Sequence, residues 1–207
     1  MAFDEYDDFE QEKLVKQWIK DNWFTIALGL VIGLGSVMGL NYYKSYKQQQ
    51  RYKLAAKYNE FNKVLELKEY DEAQKVLNAL ETASDNSFYA IKAHLQLAKE
   101  FAAKDELEKA ATELKTIIQQ KPDQLFTEFA KLRLARVYNA MGKYDDAIAQ
   151  VDAVKITQFV SIAKEIAGDA YFAKGEKDQA KTAFTEAMAE GDGYSGKRNI
   201  EMKLGNS

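Results

Sequence analysis

Tyr138-Asn139-Ala140-Met141-Gly142-Lys143-Tyr144-Asp145-Asp146-Ala147 decides the fold, because its aromatic, charged turn and alanine return along the chain. Alanines follow short charged turns at Ala73, Ala110, Ala147 and Ala180, with spacings of 37, 37 and 33 residues. Nine residues before the last three stand Phe101, Tyr138 and Tyr171; four after each stand Leu114, Val151 and Phe184, and seven after stand Ile117, Val154 and Ala187. A fixed period in this range marks a stack of similar supersecondary units rather than one irregular bundle.

The other half of each unit is a small residue three positions before the aromatic: Ala98 with Phe101, Ala135 with Tyr138, Gly168 with Tyr171. Together these positions resemble the tetratricopeptide pattern, in which small residues let two antiparallel helices approach and aromatics fill the gap between successive pairs. Pro122, twelve after Ala110, stands where that family's helix-ending proline stands. The first unit is degenerate, with Val64 at the aromatic position nine before Ala73, and its first helix is expected to run unbroken through Lys44 to Leu67. Asn199 to Leu204, with Ile200, Met202 and Leu204 among charges, is expected to form a short capping helix.

Composition agrees with an all-α reading. Pro122 is the one proline, and no glycine occurs between Gly39 and Gly142. Residues 44–207 are long enough to bury a core of their own and are rich in strong helix formers. Cysteine is absent, which removes disulfides, thiol catalysis and Cys-ligated zinc. Residues 1–21 carry seven acids against three bases, a balance of −4 against −3 for the whole chain, so the remainder carries +1. That is no concentrated basic face, and nucleic acid is not expected as a partner.

Ahead of the repeats lie 22 uncharged residues, Asn22 to Tyr43, bounded by Asp21 and Lys44. As a helix they reach about 33 Å, against about 30 Å of hydrocarbon in a bilayer. Trp23 and Phe24 at one end, and Tyr42, Tyr43 and Tyr46 at the other, are the rings favoured at headgroup depth. An acidic start, and Asn41-Tyr42-Tyr43-Lys44 where a cleavage site would stand, argue for an uncleaved anchor over a signal peptide. Gly29, Gly33, Gly35, Ser36 and Gly39 fall within an arc of about 160° on this helix, a small-residue face on which a partner membrane helix is expected to pack.

The residues that carry chemistry are sparse. His94 is the only histidine, expected as a partly exposed helix residue near a turn, and no His-x-x-x-His pair or phosphate loop accompanies it. Asp145-Asp146 and Glu106 with Glu108 read as solvated turn residues rather than an acid/base pair. No catalytic, metal or cofactor site is expected. A repeat stack offers instead a concave surface lined by the first helix of each pair. Counting the aromatic as the eleventh position, Lys99, Arg136 and Asp169 share the ninth, and Phe129 and Phe172 fall at groove-facing positions, a set suited to a partner's extended segment.

The anchor, the cysteine-free helical linker and the degenerate repeats together resemble the YfgM family, the ancillary subunit of the SecYEG translocon of Gram-negative bacteria. The matching stretches are Asp105-Glu106-Leu107-Glu108-Lys109-Ala110-Ala111 followed by Leu114, then Leu132-Arg133-Leu134-Ala135-Arg136-Val137, then Lys174-Gly175-Glu176-Lys177. The resemblance implies a non-enzymatic, single-pass protein of the inner membrane. It gives a cytoplasmic tail (1–21), a transmembrane helix (22–43) and a periplasmic repeat domain (44–207). Partners so implied are the SecYEG translocon, the membrane-anchored chaperone PpiD and unfolded client proteins. One signal points the other way. Three bases precede the span (Lys13, Lys16, Lys20) and six follow it (Lys44, Lys47, Arg51, Lys53, Lys57, Lys63), so the positive-inside rule alone places the repeats in the cytoplasm, as an adaptor reading peptide segments of soluble partners. Long domains translocate largely regardless of charge, which is where that rule is weakest.

Overall fold

The computed structural model describes residues 8–83, 88–189 and 196–206, and among these the chain is helical throughout with no strand. In order the helices are α1 (Asp8–Glu66), α2 (Tyr70–Ala83), α3 (Phe88–Ala103), α4 (Leu107–Gln120), α5 (Gln124–Ala140), α6 (Tyr144–Asp152), α7 (Val160–Lys174), α8 (Lys177–Ala189) and α9 (Lys197–Asn206), with a 3₁₀ turn at Thr157–Phe159 ahead of α7. The chain forms two compact units, Met1–Lys53 and Leu54–Ser207.

In the first unit, α1 contains a segment long and apolar enough to cross a membrane. Leu30, Val31, Leu34, Val37 and Met38 are exposed. Backbone carbonyls accept from two of its polar side chains: Ser36 Oγ donates to Ile32 O (2.7 Å) and Asn22 Nδ2 to Trp18 O (2.9 Å). That local satisfaction matters where no water competes.

In the second unit the repeat register is visible in the turns. A residue in the left-handed region lies five before each repeat alanine: Lys68 (φ 60°), Asp105 (φ 62°), Gly142 (φ 72°) and Gly175 (φ 86°). The N–H of the next residue then bonds back to the carbonyl at the aromatic position, Glu69 to Val64 (3.2 Å), and Glu106 to Phe101, Lys143 to Tyr138 and Glu176 to Tyr171 (2.9 Å each). This is the six-to-one bond of a Schellman cap. The same four turn residues accept from Ala73, Ala110, Ala147 and Ala180 and so start the following helix. Val64 keeps its place in the pattern, so the first repeat is degenerate in side chain and regular in backbone. Lys68 and Asp105 hold a conformation that costs an L-residue about 1–2 kcal/mol, a cost that Gly142 and Gly175 avoid.

Packing follows the same register. The four repeat alanines are all 0% exposed, and Leu77, Leu114, Val151 and Phe184, four residues on, are buried with them. Ala98, Ala135 and Gly168 are buried between helices of a pair, and at Gly168 the reason is steric. A Cβ there would stand 2.5 Å from Cδ1 and Cε1 of the Phe184 ring. Each fully buried large side chain contributes about 1.5–3 kcal/mol relative to exposure. Consecutive helices from α3 to α9 pack in order, and α5 also touches α3 and α7. The tail of α1 supplies Tyr58 and Phe61 to this core, with Tyr58 Oη donating to Gln96 Oε1 (3.1 Å). At the far end α9 buries Ile200 against Ala180, Phe184 and Ala187, while Met202 faces outward.

Candidate functional site

The first helix of each pair is α3, α5 or α7, and the repeat register sets their side chains in rows. One row is Lys99, Arg136 and Asp169; seven residues earlier on the same helices stand Lys92, Phe129 and Ile162. Lys99 and Arg136 are exposed, Phe129 and Ile162 half-buried. The periodicity that buries Ala98 and Ala135 against the second helices turns their neighbours Lys99 and Arg136 outward.

Within these rows the charges are unequally partnered. Neither Lys99 nor Arg136 has an ion-pair partner among the described residues. Arg133, one turn before, lies with its guanidinium carbon 4.6 Å from the Phe129 ring centroid, a cation–π contact. Burial and the adjacent Arg136 charge push the Arg133 guanidinium below its ordinary value. Asp169 differs, because Lys203 of α9 reaches it at 2.6 Å and also bonds Glu165 at 3.0 Å. Burial pushes the Asp169 carboxyl up, and the Lys203 contact pulls against that shift without cancelling it. Phe172 is exposed near the end of α7. The structure thus sets Arg133 on the Phe129 ring with the Arg136 charge close to Arg133, and joins Asp169 to the C-terminal helix.

Sequence reasoning missed the side chains that open the first helices. Phe88 and Leu125 stand ten before Ala98 and Ala135, and each is 53% exposed. Their neighbours Tyr89 and Phe126 pack inward, so that Phe126, Phe88, Tyr89 and Tyr58 form a continuous run of rings at 5.8, 5.8 and 5.4 Å. Lys92 Nζ lies 4.7 Å from the Tyr58 centroid and 5.5 Å from that of Phe88. The signal was present as an apolar pair ten and nine residues before the small position. Rigid rings beside cations, exposed on one side, bind apolar and acidic groups at low entropic cost.

His94 requires a correction: it is buried, 3% exposed, not a partly exposed turn residue. Its Nδ1 lies 2.6 Å from Glu113 Oε2 on α4 and its Nε2 3.0 Å from Glu81 Oε1 on α2, which also accepts from Gln120 Nε2 at 2.7 Å. Two ring nitrogens facing two carboxylates are both satisfied by the imidazolium. Burial pushes the imidazole down, but the hydrogen bonds and charges of Glu113 and Glu81 outweigh it and hold His94 above the ordinary histidine value. The position explains the burial. His94, Lys131 and Lys164 each stand seven before the repeat aromatic, where the side chain points in between second helices. Lys131 there donates to Ala153 O (2.9 Å) and Lys164 pairs with Glu186 (2.7 Å).

Glu128 is the other residue whose role lay hidden. It is buried on α5, and its Oε2 accepts from the backbone N–H of Lys155 (2.9 Å) and Ile156 (2.6 Å). Capture of these amides holds the chain in a non-helical course just after Asp152, so α6 has 9 residues where α2 and α4 have 14. Burial pushes the Glu128 carboxyl up, but the bonds from Ile156, Gln124 and Lys155 outweigh it and hold it below the usual carboxylate range.

Comparison with known proteins agrees with this geometry. The profile of the family described as tetratricopeptide repeat-like domain matches residues 16–206. A protein of Aggregatibacter actinomycetemcomitans is 30% identical over 201 residues, 95% of this chain and 97% of its own length. One from Haemophilus influenzae is 29% identical over 200 residues (95% and 96%), and one from Escherichia coli 27% over 198 (95% of each). All three carry the description ancillary SecYEG translocon subunit.

Proposed function

The chain belongs to the tetratricopeptide repeat-like family of ancillary SecYEG translocon subunits, and on that premise we propose that it is a non-enzymatic, membrane-anchored scaffold. It holds a periplasmic chaperone of the PpiD type beside the translocon so that emerging chains meet the chaperone early. The observation that carries this reading is that the first helices expose Lys99 and Arg136, neither in an ion pair among the described residues, together with Phe88 and Leu125, in a chain that also has a membrane-length apolar segment. Such a surface binds and does not transform. Confinement by an anchor needs no chemistry to work, because tethering raises local concentration to about the millimolar range.

The small-residue face of the anchor supports the translocon side of the proposal. A Cβ built at Gly29, Gly33, Gly35 or Gly39 would meet nothing of this chain within 4 Å, so a partner helix can approach the backbone closely along that arc with Ser36. Phe172 is the exposed residue of the proposed groove at its α7 end, where Asp169 is already engaged by Lys203.

A second reading, a cytoplasm-facing adaptor, is favoured by the six bases that follow the span against three before it. Protease added to spheroplasts separates the two: degradation of the repeat domain there, with protection in intact cells, supports the periplasmic scaffold, and protection until lysis supports the adaptor. For the scaffold itself, Lys99→Glu with Arg136→Glu is expected to abolish co-purification of a PpiD-type chaperone with unchanged helicity. Undiminished recovery would move the interface off the first helices.

A further inference from the structure

Between α6 and α8, over the floor of α7, lies a cleft of about 450 Å³. Three departures from the other repeats open it. Helix α6 stops at Asp152, through the capture of Lys155 and Ile156 by Glu128. Ala167 stands four before the aromatic Tyr171, where α3 has the fully buried Leu97; and Ala183 stands three after the repeat alanine, where α4 has Glu113. The floor is apolar, formed by Val151, Ala163, Ala167 and Ala183, with Tyr171 at one end. On the rims stand Asp152 and Asp178, neither with an ion-pair partner among the described residues, and the half-exposed pair Lys164–Glu186. Asp152, Asp178 and Glu186 face the single ammonium of Lys164, which interacts with Asp152 as well as Glu186; the surplus of carboxylates beside an apolar trough selects a ligand that brings apolar side chains and positive charge together.

We infer that this cleft is a docking site for a partner segment that places one or two apolar side chains on the α7 floor and flanks them with lysine or arginine. The molecule already holds a segment of that chemistry on α7 and α8, at residues outside the cleft. Helix α9 buries Ile200 against Phe184 of α8 and sets Lys203 on Glu165 and Asp169 of α7. The site lies on the second-helix side of the stack and does not depend on the proposed groove of Lys99 and Arg136.

The test uses the full chain in zwitterionic lipid nanodiscs, with empty nanodiscs as blank. Fluorescence anisotropy follows three labelled 14-residue peptides: leucines flanked by lysine and arginine, the same leucines flanked by glutamate, and serines flanked by lysine and arginine. The first is expected to bind and the other two to bind at least about tenfold more weakly, each factor of ten being about 1.4 kcal/mol. Ala167→Leu, which restores the side chain α3 carries at this position, and Asp152→Lys with Asp178→Lys, two exposed-rim changes, are each expected to weaken binding of the first peptide about tenfold. The rim variant keeps the test decisive if the filled cleft perturbs folding. Equal binding to the parent and the rim variant, equal binding of the glutamate-flanked peptide, or loss of binding only in Lys99→Glu with Arg136→Glu would each overturn the assignment.

Discussion

Two inter-helix positions that are equivalent by repeat register have opposite fates in this molecule. Between α2 and α4 the space over α3 is filled by Leu97 and by the Glu81–His94–Glu113 network, with Leu97, His94 and Glu113 buried and Glu81 part-exposed. Between α6 and α8 the space over α7 is left open, because Ala167 and Ala183 replace Leu97 and Glu113 and because α6 ends early. The basic residue at the shared position is buried and doubly bonded in one place (His94) and half-exposed with a surface partner in the other (Lys164). One backbone plan therefore carries a rigid core contact at one end and a binding-sized hollow at the other. The choice is made by side-chain volume and by where a second helix stops.

The largest expected effect is at the closed end. His94→Ala leaves Glu81 and Glu113 facing each other with no cation between them, and should cost about 3–5 kcal/mol, read as a lowered denaturation midpoint. A loss below 1 kcal/mol would show that the network is solvated and the contrast between the two ends illusory. At the open end the corresponding change aims at the cause of the early stop. Glu128→Ala removes the acceptor of the Lys155 and Ile156 amides and should cost about 1.5–3 kcal/mol, with hydrogen exchange accelerated at those two amides. Exchange unchanged there would mean that something other than Glu128 terminates α6.

The ends should also differ in pH response. His94 has a raised value in the folded protein, so its contribution is fully present below the ordinary histidine value of about 6.5 and is lost as pH rises through the folded value. Glu81, Glu113 and Gln120 are the polar groups facing it, from α2 and α4. Glu128 has a depressed value, so its contribution is present above the ordinary glutamate range and is lost as pH falls through the folded value. Melting midpoints should therefore decline on the alkaline side in the parent and not in His94→Gln, and decline on the acid side less steeply in Glu128→Gln than in the parent. Parallel profiles for parent and variants would remove both assignments. The smallest effect is expected at Lys164→Ala, at most about 1 kcal/mol, since its pair with Glu186 is solvent-screened. A cost matching that of His94→Ala would erase the distinction between the two positions.

Much of the candidate surface was legible because a repeat fixes faces. Once the alanines are aligned, the residue after Ala98 and Ala135 must point away from the paired helix, which brings Lys99 and Arg136 into one row. Phe88 and Leu125 were legible by the same alignment, ten positions before the small residue, but a reading centred on the turns does not extend to the helix starts. The engagement of Asp169 by Lys203 was not legible, since the capping helix lies outside the period and nothing in the repeat dictates which carboxylate its lysine meets.

The sequence by itself determined the apolar segment and the order of helices and turns. These are local matters: a run of uncharged residues has one length as a helix, and the left-handed turn at Lys68, Asp105, Gly142 and Gly175 is closed by a bond spanning five residues. Only the tertiary structure decided that His94 is buried between two carboxylates, that Glu128 captures the amides just after α6, and that the last repeat carries a cleft. The partners in those contacts lie 19 residues apart for His94 with Glu113 and 28 for Glu128 with Ile156, and a side chain's burial is set by what such distant helices bring against it. Helical periodicity says which way a residue points; whether it meets a carboxylate, a leucine or open space depends on the packing of helices that the period alone does not position.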